Sequence, residues 1–342
     1  MKKTFCLLCC LILIFTLCSC KDESKCADTS STTANNNSSS EKNENSLPQN
    51  NNSSSENTSS EEKPQESVPS NSSPTVSPST QSQKPQSSDP ITVFNFTVND
   101  PNNLRGLSTA KKGFSYGVAS NGRPHNQSVL NQTTFDSYSG VEALALDNKT
   151  TEKIMYLTFD NGYEYQNLTA NILDTLKEKN VKAAFFITLS YAKSNKALVQ
   201  RMIDEGHIVG NHSTTHPTFP DITRTKMAEE IATLNDYLIQ NFSYTSPYFR
   251  FPTGAYSECS LELVTSIGFK SVFWSLAYAD WDTSAQKGEN YAYQTVTSRF
   301  HPGAVILLHA VSKDNAAALG RIIDTAQGQG YTFKTLDDYF SN

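Results

Sequence analysis

KIMYLTFDNGYEYQNLTANILDTLKEKNVKAAFFIT, residues 153–188, decides the fold. Its first eight residues form a near-continuous apolar run ending in Asp160, the pattern of a strand buried on both faces. In residues 166–180, Leu168, Ile172, Leu173 and Leu176 fall at helical spacing. KAAFFIT, residues 182–188, is a second apolar strand. A strand, a helix and a strand in direct succession read as parallel strands joined by a helical crossover.

The alternation continues downstream. Strands are predicted at 207–213, 248–252, 270–276, 304–309 and 331–335, with helices at 196–206, 224–242, 257–268, 291–300 and 315–330. About seven such units in a row predict a barrel of the βα type, with a doubly wound open sheet as the alternative. Upstream, residues 91–150 hold Tyr, Phe and Gly without regular periodicity and read as an N-terminal extension packed on the main domain, 151–342.

The first 90 residues have a different character. Met-Lys-Lys precedes the apolar run TFCLLCCLILIFTLCSC, a basic segment followed by a short hydrophobic one, as in a secretion signal spanning residues 1–20. The run ends LCSC and resembles a bacterial lipobox, in which Cys20 carries lipid and becomes the new N-terminus. Residues 21–90 are rich in Ser and Asn with almost nothing apolar to bury, so they are expected to be a disordered tether. The expected product is an exported lipoprotein, held at the membrane through Cys20, facing the cell wall and acting as a monomer. Five of the seven cysteines lie at or before Cys20, so the remaining Cys26 and Cys259 imply no disulfide framework. Cys259 reads as a small apolar filler near a helix start. A net charge of −6 with no basic stripe excludes nucleic acid as a partner.

Polar residues cluster at the predicted strand ends. Asp160 ends the first strand, His212 the third with His216 just after it, Arg250 lies in the fourth, Asp280 follows the fifth and His309 ends the sixth. In a parallel barrel those ends share one face, so residues far apart in sequence converge on one pocket. His212 and His216, four apart in HSTTH, can meet one divalent ion. Asp160 is the candidate general base, with Arg250 keeping it ionised and oriented. His309 is the candidate general acid, paired with Asp280, and Trp281 is a candidate pocket wall. Such a set permits hydrolysis of an amide or ester: a divalent ion polarises the carbonyl, Asp160 takes a proton from water and His309 protonates the leaving group.

TFDNG, HSTTH, RFPTG, ADW and LLH, in this order and spacing, resemble the polysaccharide deacetylases, the NodB-homology carbohydrate esterases. The resemblance implies a distorted (β/α)7 barrel. It also implies Asp160 as base, Arg250 as its orienting partner, His212 and His216 as metal ligands, and Asp280 as partner of the acid His309. YLTFDNGYE, EGHIVGNHS, VFWSLAYADWD and HPGAVILLHAVSKDNAAAL, with FSYGV and GRPHNQSVL in the extension, are similar to the subgroup of peptidoglycan N-acetylmuramic acid deacetylases that start muramic δ-lactam formation in spore cortex. The implied partner is the peptidoglycan glycan strand, and the implied place of action extends to the forespore. N-acetylglucosamine deacetylation and non-catalytic glycan binding are the alternative functions. Most of the wider family carries a second Asp, the third metal ligand, where this chain has Asn161. The implied site is therefore His212, His216 and Asn161 around a divalent ion, expected to be Zn, held more weakly by a neutral amide than by a carboxylate.

Overall fold

The computed structural model describes residues 87–341. The signal segment, Cys20 and the tether up to residue 86 lie outside the described residues. No described helix is long and apolar enough to cross a membrane.

In chain order the elements are β1 (Ile91–Val93), β2 (Phe96–Val98), α1 (Asn126–Ser137), β3 (Ala143–Leu144), β4 (Ile154–Asn161), α2 (Leu168–Glu178), β5 (Ala184–Ile187), α3 (Leu189–Ser194) and α4 (Lys196–Asp204). They continue with β6 (Ile208–Asn211), α5 (Arg224–Phe242), β7 (Tyr248–Phe249), α6 (Glu258–Ser266), β8 (Lys270–Val272), α7 (Glu289–Thr297), β9 (Ala304–His309), α8 (Lys313–Gly328), β10 (Thr332–Lys334) and α9 (Leu336–Phe340). β1 and β2 form a small antiparallel hairpin, and the other strands form one sheet whose named pairings are all parallel.

All eight residues of β4 are buried, as the apolar run predicts. It pairs with β9 along one edge; on the other it meets β10 near its start and β5 near its end. The sheet runs on through β6, β7 and β8, and a parallel bridge from Leu276 to Ile306 joins the chain after β8 back to β9. The sheet therefore curls into a distorted, incompletely closed barrel.

Several predicted elements change at their ends. The strand expected over 248–252 stops at Phe249, because Pro252 cannot donate to a ladder and begins a 3-10 turn. The strand expected over 270–276 keeps regular pairing only to Val272, because the chain switches partner: Phe273 N–H donates to Leu144 O, whereas Ser275 and Leu276 donate to Val305 O of β9. Helix α3 is unpredicted; Thr188 caps it by accepting from Tyr191 N–H.

The segment before β4 is tightly integrated. β3 pairs with β8 in the main sheet. The buried Gln132 of α1 donates to Ala143 O and accepts from Ala145 and Leu146 N–H, which satisfies backbone beside β3. Phe114 and Phe135 stack on Phe273 with ring centroids 4.7 and 4.8 Å away. Burial of each such ring stabilises the fold by about 1.5–3 kcal/mol. Cys259 is buried at the start of α6, as the filler reading requires.

Just before β9, Gly303 has φ +73, and a Cβ there would lie 2.0 Å from the carbonyl oxygen of Asp147. Gly303→Ala should therefore lose about 2–4 kcal/mol, combining left-handed strain with overpacking against backbone. Gly328→Ala, at a position with open space in α8, should be neutral or stabilising. Urea denaturation of both variants checks the contrast; equal effects would mean that the Asp147–Gly303 contact does not constrain this turn.

Candidate active site

The strand C-termini bring the predicted residues to one end of the barrel. Asp160 on β4 is the ladder partner of His309, the last residue of β9. His212 follows β6, Arg250 follows β7, and Asp280 lies in the connection from β8 to α7. They surround a cleft of about 850 Å³ lined by Asp160, His212, His216 and His309 with apolar walls that include Tyr116, Trp274 and Tyr278. Trp281 also lines it, 55 % exposed, with its ring 5.7 Å from that of His309.

Arg250 is fully buried and spends its guanidinium on four acceptors. Nη1 donates to Asp160 Oδ1 at 2.8 Å, Nη2 to Thr158 Oγ1 and Phe273 O, and Nε to Val272 O. Its carbon Cζ sits 4.1 Å from the Phe186 ring centroid. Burial alone would push the Asp160 carboxyl up; the Arg250 charge, the largest of the opposing effects, together with its hydrogen bond, holds the carboxyl below its ordinary value. Asp160 is thus a carboxylate at neutral pH, with Oδ1 fixed and Oδ2 turned toward His212 Nε2 at 3.6 Å.

The histidine turn is built around a buried carboxylate. Glu230 of α5 accepts from the backbone N–H groups of Thr214 and Thr215 and from Thr215 Oγ1. Ser213 and His216 both adopt positive φ, which folds the turn tightly enough to bring the two rings together. His212 Nδ1–H donates to Arg250 O at 2.9 Å, so its Nε2 keeps a free lone pair. Burial pushes His212 down to about 4, against the pull of Asp160, and lowers His216 as well. Both rings are neutral near pH 7, the state in which imidazole ligates metal.

The two Nε2 atoms are 3.2 Å apart. Two nitrogens about 2.0–2.1 Å from one tetrahedral ion would lie roughly 3.3 Å from each other. Asn161 is buried; its Nδ2 donates to Thr169 Oγ1, while its Oδ1 is buried without a hydrogen-bond partner. The two convergent imidazole nitrogens fit a divalent ion, and the unpartnered Asn161 Oδ1 is a neutral oxygen donor of the kind such an ion accepts. Among the described residues no cluster of three or more His, Cys, Asp or Glu side chains is placed to hold a metal.

On the opposite side, Asp280 is buried and grips His309 twice. Its Oδ1 accepts from ring Nδ1 at 2.7 Å and its Oδ2 from the backbone N–H at 2.8 Å. Burial would pull His309 down, but the Asp280 hydrogen bond and charge, helped by Asp160, raise it above its ordinary value. With Nδ1 bound to Asp280, Nε2 is the position that gives up a proton.

Sequence reading missed several groups. Thr158 lies two residues before Asp160 and so on the same strand face, a signal that could have revealed it. Tyr116 and Asn315 lie within the FSYGV and HPGAVILLHAVSKDNAAAL motifs but had no role assigned, and Glu230 carried no signal, because only the tertiary fold brings these residues near.

A family model described as polysaccharide deacetylase matches residues 147–272. The chain is 43% identical over 198 residues to PdaA, a peptidoglycan-N-acetylmuramic acid deacetylase of Bacillus subtilis, covering 58% of this chain and 74% of that one. It is 48% identical over 189 residues to an uncharacterized 30.6 kDa protein of Geobacillus stearothermophilus, covering 55% and 71%. The solved structure of Bacillus subtilis PdaA, a family 4 carbohydrate esterase, superimposes with a TM-score of 0.65 at 38% identity, over 69% of this chain and 99% of that one. The chain belongs to the polysaccharide deacetylase family, hydrolases of carbon–nitrogen bonds other than peptide bonds.

If Asn161 Oδ1 serves the ion, a carboxylate there adds an anionic ligand. Asn161→Asp should bind Zn²⁺ at least about tenfold more tightly near pH 7, or ~1.4 kcal/mol. Calorimetric titration of the metal-free proteins measures this; equal affinities would place residue 161 outside the coordination sphere.

Proposed function

We propose that this protein removes the N-acetyl group from N-acetylmuramic acid residues of peptidoglycan glycan strands, leaving a free amine as the first step toward muramic δ-lactam. The observation that carries this reading is the pair of dyads, Asp160–Arg250 and Asp280–His309, facing one cleft from adjacent strands. Similarity to PdaA supports the choice of N-acetylmuramic acid.

Asp160, held ionised by Arg250, orients a water and takes its proton as the water oxygen bonds to the acetyl carbon. A divalent ion, which we take to be Zn²⁺ held by His212, His216 and Asn161, would polarise the acetyl carbonyl and acidify that water. His309 gives its Nε2 proton to the amide nitrogen as the carbon–nitrogen bond breaks, releasing acetate and the amino sugar. Asp280 fixes the tautomer and balances the imidazolium before transfer. Burial of Asp160, Arg250 and Asp280 strengthens both dyads.

Asp160→Asn and His309→Ala should each lower kcat by at least about 10²-fold while leaving the protein folded. Mass spectrometry of peptidoglycan fragments, with acetate release as the rate measure, checks both the reaction and the sugar modified. Loss of acetyl from N-acetylglucosamine instead, or wild-type turnover in either variant, would overturn the assignment. The pH profile gives a further check. His309 acts protonated and its pKa is raised, so kcat/KM should fall as pH rises through a value above 6.5. A basic limb at or below that value would remove His309 from the role of acid.

We also propose that Cys20 is lipidated and that residues 21–90 act as a tether, placing the enzyme on the membrane facing the wall. The LCSC ending of the apolar run supports this. Cys20→Ala should shift the protein from the membrane fraction to the medium; unchanged fractionation would exclude lipid at Cys20.

A further inference from the structure

Asp280 has a third partner that the acid–base scheme above does not use. Asn315, in the first turn of α8, donates through Nδ2 to Asp280 Oδ2, the oxygen that also accepts from His309 N–H. Asn315 Oδ1 accepts in turn from the hydroxyl of Tyr278, whose side chain lines the cleft. Both Asn315 and Asp280 are almost fully buried. The amide is therefore satisfied at both ends within one chain of contacts, Tyr278 to Asn315 to Asp280 to His309.

The surroundings hold that chain still. Ser312 caps α8 by accepting from Asn315 N–H, which fixes the start of the helix. Gln286 accepts from Ser312 Oγ and donates to the backbone carbonyls of Asp280 and Asp282, joining the helix start to the loop that carries Asp280. The carbonyl of Ala277 accepts from both Tyr116 and Arg299, pinning the same loop from the other side. Within this frame, rotation of the Asp280 carboxylate about its own bond would misdirect the His309 ring, and the His309 N–H alone holds Oδ2 against it unless a second donor helps. Asn315 is that donor, and Oδ2 cannot leave its buried amide without stranding it.

We propose that Asn315, anchored by Tyr278, is a positioning residue that aims the His309 proton at the leaving nitrogen. The proposal rests on the deacetylase reading, and its test separates the two. An amide nitrogen leaves only if protonated, whereas 4-nitrophenolate leaves without a proton. A residue that aims the acid therefore matters for the glycan and far less for 4-nitrophenyl acetate, while general damage to the fold or to the base side slows both.

The experiment compares wild type, Asn315→Leu, Tyr278→Phe and His309→Ala on N-acetylated peptidoglycan fragments and on 4-nitrophenyl acetate. Asn315→Leu should lose at least about tenfold in kcat on the glycan with KM within about twofold, and much less on the ester. Tyr278→Phe removes one hydroxyl at the cleft wall and should fold normally, showing the same pattern at about threefold. His309→Ala sets the full size of the effect. Equal losses on both substrates, or no loss on the glycan in either variant, overturn the role assigned to Asn315 alone. Failure of the wild type to release acetate from the glycan overturns the deacetylase reading and this inference with it.

Discussion

The ion pair between Arg250 and Asp160 governs the rest of the site. A guanidinium with no exposed surface is costly to bury, and it persists here because every direction it points finds an acceptor. Those acceptors belong to β4 and to the chain at and just after β8, so one side chain ties the base to the neighbouring strands. The backbone of the same residue accepts from His212, which sets the tautomer of a metal-ligand candidate. Base orientation and ligand orientation thus share one origin. A lysine could supply the charge but not the planar fork that four acceptors require.

Local physics wrote the fold and the strand-end residues clearly into the sequence. The buried run ending in Asp160 could only be a central strand, and the long α5 begins and ends where its capping Thr223 and left-handed Ser243 allow. Partnerships were illegible. β3 is two residues long and gains its place from Gln132 and the Phe114–Phe135–Phe273 stack, none of which leaves a periodic trace. Asn315 in a helix start looks like any capping-turn polar residue. Glu230 looks like one more charge on an amphipathic helix until the turn at 212–216 folds onto it. The residues proposed to carry the reaction were visible because chemistry restricts their type. The residues that hold them were hidden because tertiary contact alone defines them.

Asn161 shows how a motif can change chemically while its geometry persists. The turn and the histidine pair are in place, and residue 161 presents a neutral amide oxygen without a hydrogen-bond partner. A cation bound by a neutral amide is held less tightly and remains a stronger Lewis acid than one bound by a carboxylate, two opposite consequences of one side-chain difference.

The ladder between β4 and β9 runs for six residue pairs and ends at Asp160 opposite His309. Asp160 and His309 therefore inherit their spacing from main-chain hydrogen bonds near the barrel's centre. Tyr116, Tyr163 and Trp281, by contrast, reach the cleft from connecting segments. The Asp160–His309 spacing and the aromatic rim of the cleft therefore come from different parts of the polypeptide, although Asp280 and Trp281 share one connection. A substitution at Tyr163 or Trp281 on that rim can alter which glycan the cleft admits without touching the ladder that spaces Asp160 from His309.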